Sequence, residues 1–266
     1  MTLSGKSIII TGASSGLGRA LALELARYDT NLVLFARNQE KLLETQNLCA
    51  QFNSPCIIFS GDVTKPEDCE KLTDLTLDRF GALDILIANA GIGMLAKFEE
   101  IEDISILNKL MTTNYLGAVN CTQHALSHLK KSKGLIVVIS SIQGKQGVPL
   151  HTGYAASKHA LHGFFDSLRI ELQDTGVDIL IALPSWIRNP GWRQNSLAMD
   201  GQPRGESSKK QSKSAVSLEE CSQAIIKAIL KRKREVVIPA KLKFLPLLNL
   251  INPKIVEFFI KRKFQN

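Results

Sequence analysis

Short, continuous apolar runs alternate with segments of helical period along the chain up to residue 183. The apolar runs occupy residues 7–10, 31–37, 55–63, 84–91, 134–141 and 177–183. A run with no polar side indicates a strand that is covered on both faces, as in a parallel sheet flanked by helices. The segments between the runs place apolar residues three and four positions apart, which predicts helices. The alternation therefore predicts a doubly wound parallel sheet between two helical layers, a three-layer α/β/α fold.

The pattern loosens beyond the sixth apolar run. Residues 185–215 are rich in Gly, Pro, Ser and Lys and are too many for an ordinary connection, so we predict a substrate loop or lid there. A predicted helix at 218–233 and a short predicted strand at 235–239 follow. Because the pattern contains neither an internal repeat nor a second apolar core, we predict one domain over residues 1–240 and a C-terminal extension over 241–266.

Composition narrows the class of protein. The 266 residues are 44% hydrophobic, which is enough for the core of one large α/β domain. The five cysteines are scattered and form no C-x-x-C pair, which argues against a disulfide framework or a zinc site and suits a reducing compartment. The N-terminus leads directly into the first apolar run, so we expect no signal peptide and a cytoplasmic location.

Positive charge is concentrated toward the C-terminus. The net charge is +8, and residues 227–266 carry eleven Lys or Arg against two Glu, so the rest of the chain is close to neutral. The KRKR run at 231–234 has no aromatic residues interleaved with it and matches no nucleic-acid-binding fold. We therefore predict a solvated helix end at this run and no nucleic-acid partner.

The extension at 241–266 combines basic residues with two apolar runs that Pro246 and Pro253 interrupt. Each run is far shorter than the ~20 residues that a membrane-spanning helix needs. One interpretation is a peripheral, membrane-associated segment whose Lys and Arg meet anionic headgroups. The other is that these residues cover the substrate pocket or a subunit interface, with the lysines directed outward. The sequence supports the two interpretations equally.

A glycine-rich turn directly follows the first apolar run. Gly12, Gly16 and Gly18 lie in TGASSGLG, where the first predicted helix begins. Such a turn lets a phosphate approach the backbone closely, and the helix N-terminus adds N–H donors and a positive dipole. The spacing, Gly-x-x-x-Gly-x-Gly, differs from the common dinucleotide fingerprint, so the turn by itself leaves a plain strand–helix junction as the alternative.

The second apolar run ends at Arg37, where many NAD-binding chains carry an acidic residue for the ribose 2′-hydroxyl. A guanidinium at this point suits a 2′-phosphate, because arginine binds phosphate through a planar fork of donors. Arg37 therefore predicts NADP(H) in preference to NAD(H), with a solvated loop charge as the alternative.

Tyr154 and Lys158 stand four residues apart in a predicted helix, so both side chains lie on one helix face. A lysine ammonium beside a tyrosine favours the phenolate and lowers the tyrosine pKa from its ordinary value of about 10. Ser141 ends the fifth apolar run, at the carboxyl end of a predicted strand, where open α/β sheets bind ligands. A hydroxyl, a phenol and a lysine in this arrangement predict proton exchange with a carbonyl or an alcohol.

Together these motifs resemble the short-chain dehydrogenase/reductase family in its typical single-domain form. The resemblance covers about residues 6–189 and rests on six motifs in order, TGASSGLG at 11–18, Asp62–Val63, Asn89–Ala90–Gly91, Asn114, Ser141 and Tyr154-x-x-x-Lys158. It implies a Rossmann-type sheet that binds NAD(P)(H) and an oxidoreductase that transfers a hydride between the cofactor and a carbonyl or alcohol. It also implies a homodimer or homotetramer, with helices near 104–131 and 153–174 packing across subunits.

The resemblance implies a role for each matching residue. Tyr154 is the proton donor in reduction and the base in oxidation, and Lys158 lowers its pKa and hydrogen-bonds the nicotinamide ribose. Ser141, rather than its neighbour Ser140, holds the substrate oxygen. Asn114 kinks its helix and holds a water that feeds Lys158. The implied catalytic set is Asn114, Ser141, Tyr154 and Lys158, with no metal. The implied cofactor-binding set is Gly12, Ser14, Ser15, Gly16, Leu17, Gly18, Arg37, Asp62, Val63, Asn89, Ala90, Gly91, Tyr154, Lys158, Pro184 and Ile187.

The chain departs from the family pattern after the sixth apolar run. The family usually has a Pro-Gly pair followed by a threonine that contacts the carboxamide, whereas this chain has Pro184–Ser185 and then Asn189. An asparagine can still hydrogen-bond an amide, and Ile187 stays a predicted backbone contact.

His124 and His128 stand four residues apart without an accompanying carboxylate or third ligand, so we predict a helix-surface or interface role for them rather than a metal site.

The leading hypothesis is an NADP(H)-dependent oxidoreductase that acts on a carbonyl/alcohol pair, and the long loop and the apolar extension favour a lipophilic substrate. The alternative from another class is a catalytically idle NADP(H)-binding sensor or scaffold, although such a protein would be expected to lose Ser141, Tyr154 or Lys158. A third hypothesis is a nucleotide-sugar or acyl-thioester substrate, because the basic extension would also attract those anions.

His151, close to Tyr154 in sequence, is predicted to pack against the pocket or to line it.

Overall fold

A parallel sheet forms the centre of the molecule. The computed structural model describes residues 1–52, 54–205 and 215–265. Within these residues the strands are β1 (Ser7–Thr11), β2 (Asn31–Ala36), β3 (Cys56–Ser60), β4 (Ile85–Ala88), β5 (Leu135–Ile139), β6 (Asp178–Pro184) and β7 (Glu235–Ile238). They form one seven-stranded sheet in the order β3-β2-β1-β4-β5-β6-β7, and every neighbouring pair is parallel. The predicted doubly wound sheet is confirmed.

Helices cover both faces of this sheet. The α-helices in the described part of the chain are α1 (Gly16–Leu25), α2 (Gln39–Cys49), α3 (Pro66–Phe80), α4 (Ser105–Met111), α5 (Gly117–Ser132), α6 (Thr152–Glu171), α7 (Pro190–Asn195), α8 (Leu218–Leu230), α9 (Leu245–Ile251) and α10 (Pro253–Gln265). Short 3₁₀ turns occupy Ala26–Tyr28, Ala50–Phe52, Phe98–Glu100, Ile142–Gly144 and Ala240–Phe244. Apolar residues of α1, α2 and α8 pack on one face of the sheet, and those of α3, α5 and α6 pack on the other.

The alternation of side chains in β1 shows why both faces need a cover. Ile8 and Ile10 belong to the core beneath α1 and α8, whereas Ile9 belongs to the core on the opposite face. All three side chains are fully buried. Successive residues of a strand point to opposite faces, so a strand between two helical layers must be apolar throughout.

The connections run in opposite directions on the two sides of β1. The chain moves from β1 outward to β2 and β3, and then returns to β4 on the other side of β1. In open α/β sheets ligands bind outside the carboxyl ends of the strands at such a switch point. The glycine-rich turn after β1 lies at this place.

The helix that we predicted as one segment over 104–131 is interrupted. Residues Thr112–Leu116 form a π-helical turn between α4 and α5. Single π-helical turns inside α-helices are often found at functional sites. The predicted kink at Asn114 coincides with this turn.

The C-terminal part of the chain differs from its predicted description at one residue. We predicted a solvated helix end at 231–234, but Arg232 pairs with Asp178 and donates to the carbonyls of Gly134 and Gly176, at 2.9 and 3.0 Å. Arg232 therefore fastens the residues after α8 to the start of β6. The prediction was wrong for Arg232, because its partners come from segments distant in sequence, whereas Lys231, Lys233 and Arg234 are exposed.

The extension forms two short helices. Pro246 lies in the first turn of α9 and Pro253 begins α10, positions at which proline is tolerated. None of the described helices is long and apolar enough to cross a membrane. Of the predicted substrate loop at 185–215, residues 206–214 lie outside the described residues. The division between domain and extension at residue 240 stays a prediction.

Candidate active site

Three of the predicted catalytic side chains meet at the carboxyl end of β5. Tyr154 and Lys158 project from α6 and are buried, with 8% and 3% of their surface exposed. Ser141 follows β5, and its side chain hydrogen-bonds Tyr154. The Ser141 hydroxyl also lies 3.2 Å from the Pro184 carbonyl oxygen, to which it can donate. The hydroxyl of Ser141 and the phenol of Tyr154 are therefore adjacent at the sheet edge that binds ligands in this class of fold.

The neighbouring serine has other partners. The hydroxyl of Ser140 lies 3.1 Å from Nε2 of the buried His162. Burial lowers the pKa of His162 to about 4, so this imidazole is neutral at physiological pH. Of the two adjacent serines, Ser141 is the one that contacts Tyr154.

Burial controls the proton affinities of this group. We expected Lys158 to lower the pKa of Tyr154, but in the structure burial outweighs other effects and raises the pKa of Tyr154 to about 12. The hydrogen bond with Ser141 acts in the opposite direction. Burial also lowers the pKa of Lys158 to about 8. At neutral pH Tyr154 therefore keeps its proton, and Lys158 is still mostly an ammonium ion.

Lys158 is held close to the tyrosine by the strand beneath it. Its Nζ donates to the Ile139 carbonyl at 2.8 Å and lies 5.7 Å from the centroid of the Tyr154 ring. A Cβ atom on Gly91 would lie 3.8 Å from the same Nζ. Lys158 and the predicted Asn89–Gly91 cofactor loop are thus neighbours.

Asn114 connects the kinked helix to the rest of the site. It is buried in the π-helical turn, and its Nδ2 donates to the Ile92 carbonyl at 3.0 Å and to Ser157 Oγ at 2.9 Å. Its Oδ1 accepts from the Ile92 N–H at 2.7 Å. The side chain therefore fixes the loop after β4 against α6. The predicted role of Asn114 in holding a water stays a prediction.

The glycine-rich turn has a shape that only glycine allows. Gly12 and Gly16 have φ of 66° and 55°, in the left-handed region that disfavours other residues. A Cβ atom on Gly18 would lie 2.2 Å from the Gly12 carbonyl oxygen. A Cβ atom on Gly12 would lie 2.9 Å from the Cα atom of Ala90. Side chains are therefore excluded at Gly12 and Gly18, where the backbone of the turn packs closely on itself and on the loop after β4.

The N-terminus of α1 fits the phosphates of a dinucleotide. Ser15 precedes the helix without a side-chain capping hydrogen bond to any described residue, and the first turn contains no acidic residue. The N–H groups at this end can therefore bind an anion, as in other dinucleotide-binding turns. Ser14 and Leu17, the other predicted contacts, flank this end, and Leu17 is buried beneath it.

Thr11 joins the turn to the loop after β4. Its Oγ1 accepts from the N–H groups of Asn89 and Ala90, both at 2.9 Å. Asn89 Nδ2 donates back to the Thr11 carbonyl at 2.8 Å. These bonds span the switch point between β1 and β4. We did not predict Thr11 as a site residue, although it is the first residue of the TGASSGLG motif, which was its signal in the sequence.

The residues predicted for the adenosine end lie after β2 and β3. Arg37 is exposed just beyond β2, and no carboxylate in the described part of the chain pairs with it. Asp62 Oδ1 accepts from the Thr64 N–H at 3.0 Å, which shapes the turn before α3. Val63 is buried, and its carbonyl accepts from Asn120 Nδ2 at 3.0 Å. The cofactor contacts implied for Asp62 and Val63 stay predictions.

The loop after β6 closes against the glycine-rich turn. Ile187 forms a short parallel bridge with Val216. The Nδ2 atom of Asn189 would lie 2.6 Å from a Cβ atom placed on Gly16. Asn189, which stands where the family usually has threonine, therefore lies against the glycine-rich turn, and its contact with the carboxamide stays a prediction.

Aromatic rings surround Tyr154. The Trp192 ring lies 5.6 Å from the Tyr154 ring, and the His151 ring lies 6.4 Å from it, both edge to face. We predicted His151 as a packing or pocket residue, but we did not predict Trp186, Trp192 or Phe264. The two tryptophans are the only ones in the chain and both fall in the predicted substrate loop, which was their signal in the sequence. Phe264 had no such signal.

Three features define the class of protein to which this chain belongs. They are the parallel sheet, the glycine-rich turn at its switch point and the Ser–Tyr–Lys group. Together they define a Rossmann-type dinucleotide-dependent oxidoreductase. Residues 6–199 match the family model for short chain dehydrogenases. The chain therefore belongs to the short-chain dehydrogenase family, and it is an oxidoreductase of the CH–OH/C=O type with a nicotinamide cofactor.

Named relatives and solved structures agree with this family. An 11-beta-hydroxysteroid dehydrogenase A of Arachis hypogaea is 37% identical over 261 residues, which cover 96% of this chain and 74% of the relative. An 11-beta-hydroxysteroid dehydrogenase-like 4A of Arabidopsis thaliana is 37% identical over 259 residues, which cover 96% of this chain and 83% of the relative.

Two solved structures show the same architecture. An alcohol dehydrogenase from the archaeon Thermococcus sibiricus, complexed with 5-hydroxy-NADP, is 26% identical with a TM-score of 0.75, covering 88% of this chain and 95% of its own. A short chain dehydrogenase/reductase from Burkholderia phymatum, in complex with NAD, has a TM-score of 0.81 at 21% identity and covers 96% of each chain. Because its identity is only 21%, the second structure supports a shared fold and nothing further.

Proposed function

We propose that this protein is an NADP(H)-dependent oxidoreductase that transfers a hydride between the nicotinamide and a lipophilic carbonyl or alcohol. The observation that carries the proposal is the buried contact of Ser141 with Tyr154, with Lys158 beside them at the carboxyl end of β5. A sensor or scaffold would gain nothing from burying a phenol and an ammonium group at this edge, because burial of such groups costs free energy.

The chain's own residues perform the proton chemistry in this proposal. In reduction, Ser141 hydrogen-bonds the substrate oxygen and Tyr154 donates its phenolic proton to the same oxygen. A pKa of about 12 keeps the phenol protonated at neutral pH, so the donor is in the required state. The ammonium of Lys158 stabilises the phenolate that remains after the proton has left. When bound, the nicotinamide cofactor supplies the hydride.

A substrate screen tests this function. The full chain is incubated with NADPH and a set of ketones and aldehydes, or with NADP and alcohols, and the absorbance of the reduced cofactor is followed. We expect turnover of at least one lipophilic compound. Tight binding of NADPH without turnover of any compound, nucleotide-sugars and acyl-thioesters included, would favour the sensor or scaffold.

The preference for NADP(H) rests on Arg37. Its guanidinium is exposed beyond the carboxyl end of β2, next to the strand that leads into the glycine-rich turn. No carboxylate among the described residues competes with a 2′-phosphate for it. The structure of the related archaeal alcohol dehydrogenase with 5-hydroxy-NADP supports the same choice.

Exchanging Arg37 for aspartate is expected to weaken NADPH binding by about 10- to 100-fold, because a charge-assisted hydrogen bond is lost and a repulsive charge is added. NADH binding should stay the same or become tighter. Fluorescence titration of each reduced cofactor measures both dissociation constants. The control is Arg79→Asp. Arg79 lies at the end of α3, just before β4 begins, and so at the amino ends of the strands. The substitution should leave both dissociation constants unchanged. Similar affinities of the unaltered protein for NADPH and NADH would refute the interpretation of Arg37.

The choice of a lipophilic substrate has two supports. The plant relatives are named as hydroxysteroid dehydrogenases. In addition, the extension places apolar side chains close to the site, since Phe264 of α10 contacts the His151 ring.

Assembly into a homodimer or homotetramer, which the resemblance implies, also belongs to this proposal, and exposed Ile104, Leu116 and Ile170 on or beside α4–α6 support it.

We further propose that the outer surface of the extension makes peripheral contact with a membrane. Large apolar side chains are exposed there, with Leu250 at 82%, Ile251 at 74% and Phe259 at 63%. The basic residues described on the same segment are Lys241, Lys243, Lys254, Lys261 and Arg262. Apolar side chains among basic ones suit the interface of an anionic bilayer.

Vesicle co-sedimentation tests this contact. We expect the full chain to bind phosphatidylserine-containing vesicles, more weakly at high salt, and a Leu250→Asp/Ile251→Asp variant to bind at least about fivefold less, because charged groups disfavour insertion. The matched control is Leu43→Asp/Leu48→Asp, which adds two charges at exposed apolar positions on α2 and should leave vesicle binding unchanged. Equal binding of the full chain and a chain that ends at residue 240 would eliminate the membrane proposal.

A further inference from the structure

The last helix of the chain has two different faces. Val256, Ile260 and Phe264 recur every four residues on α10, so they form one stripe along the helix. Val256 is only 2% exposed, and Ile260 and Phe264 are partly buried. Ile255 and Phe259, each one position earlier in the helix, are exposed instead. The stripe therefore faces the protein.

The stripe ends on the rings that surround the catalytic tyrosine. The Phe264 ring lies 6.2 Å from the His151 ring and 6.0 Å from the Trp186 ring. His151 in turn lies 5.5 Å from Trp186 and 6.4 Å from Tyr154. Contacts between rings thus run without a break from the end of the chain to the proton donor.

The loop before α6 fixes this arrangement. His151 is buried, and its Nδ1 donates to the Pro149 carbonyl at 2.8 Å. An open groove of about 670 Å³ lies between residues 146–149 of the same loop and α10, with apolar Val148, Phe258 and Ile260 and charged Lys254, Glu257 and Lys261 in its wall. A partly apolar groove therefore lies beside the rings, between the loop and the helix.

Trp192 completes the group on the other side of the phenol. It lies on α7, within the loop after β6, and its ring is 5.6 Å from the Tyr154 ring. Rings that meet edge to face offer flat apolar surfaces to a ligand, and aromatic side chains provide large contact areas. A small aldehyde reaching Tyr154 would contact few of these surfaces, whereas a compound with fused rings would contact several.

We infer that α10 is a wall of the substrate site, and that His151, Trp186, Trp192 and Phe264 select carbonyl or alcohol substrates that carry a flat, apolar ring system. This inference rests on the proposed function, because the reacting group of the substrate must lie at Tyr154. Phe264 is a specificity-determining residue in this arrangement, and it acts on the part of the substrate distant from the reacting oxygen.

Phe264→Ala tests the inference, with Phe259→Ala on the outer face of the same helix as the matched control. For a two-ring ketone such as 2-decalone, Phe264→Ala should raise KM about tenfold with little change in kcat, because uniform binding is lost. For a small aldehyde such as propanal, kcat/KM should change less than about twofold. Phe264→Leu should restore part of the binding. Equal effects of Phe264→Ala on the two compounds, or equal effects of the two alanine variants, would overturn the inference.

The two tryptophans give a readout that does not need turnover. Both lie in the ring group, so the tryptophan emission of the protein reports on this wall. Titration with 2-decalone in the presence of NADP should quench the emission of the unaltered protein, with a dissociation constant about tenfold weaker in Phe264→Ala. If no carbonyl is turned over, the proposed function fails, but this titration still tests the wall. An unchanged dissociation constant in Phe264→Ala would contradict it.

Discussion

Replacing Tyr154 by phenylalanine is expected to reduce kcat/KM by about 10³-fold or more, while the dissociation constant of NADPH changes less than about threefold. The substitution removes only the phenolic oxygen, so the proton donor and the hydrogen bond with Ser141 are lost. The ring itself keeps its edge-to-face contacts with His151 and Trp192. Rates with the substrate found in the screen and fluorescence titration of NADPH measure the two quantities.

The size of this effect follows from burial. Because Tyr154 is 8% exposed, bulk water has little access to the position from which the phenol donates its proton. The other two tyrosines of the chain have other neighbours, since Tyr28 follows α1 and the Tyr115 ring packs on Phe164. Tyr28→Phe is therefore the matched control and should keep full activity. Turnover retained in Tyr154→Phe would remove Tyr154 from the mechanism.

Gly18→Ala is expected to weaken the binding of NADPH and NADH alike by about 100-fold or more. The new Cβ atom would lie 2.2 Å from the Gly12 carbonyl oxygen and 2.6 Å from Asn89 Nδ2. A carbon and a backbone oxygen cannot approach so closely, so the turn must open, and overpacking of this kind typically costs about 1–3 kcal/mol of stability as well. Titration of both cofactors measures the first effect, and thermal unfolding measures the second.

The chain offers a matched control for this substitution. Gly163 is also a helical glycine, on the exposed side of α6, and a Cβ atom there would meet no described atom within 4 Å. Gly163→Ala should leave cofactor binding unchanged and should stabilise the protein by about 0.5–1 kcal/mol, because alanine is the better helix former. Binding of NADPH by Gly18→Ala within twofold of the unaltered protein would show that the turn does not hold the cofactor.

Much of the fold was predictable because it depends on local patterns. Six continuous apolar runs coincide with β1 to β6, since a strand covered on both faces must be apolar at every position. The helix from 104 to 131 was less predictable, because the π-helical turn at Thr112–Leu116 leaves its apolar period almost unchanged. The order of the strands in the sheet is set by contacts between distant segments and is not encoded in any single run.

The proximity of Ser141, Tyr154 and Lys158 was predictable for a similar reason. Tyr154 and Lys158 share one helix face whatever surrounds the helix, and Ser141 ends a strand. What the spacing did not reveal is the pKa of either side chain. Burial raises the pKa of Tyr154 and lowers that of Lys158, and burial depends on every element packed around them.

By itself the sequence determined the class of chemistry. It did so through a glycine-rich turn after the first strand and through a serine, a tyrosine and a lysine near the carboxyl end of the fifth strand. These features are short-range, because they need only the geometry of one turn, one helix and one strand end. Only the tertiary structure placed Phe264 against His151 and Trp186, and Thr11 between two loops. Such contacts join segments far apart along the chain, so they exist only when the helices and the sheet have packed together.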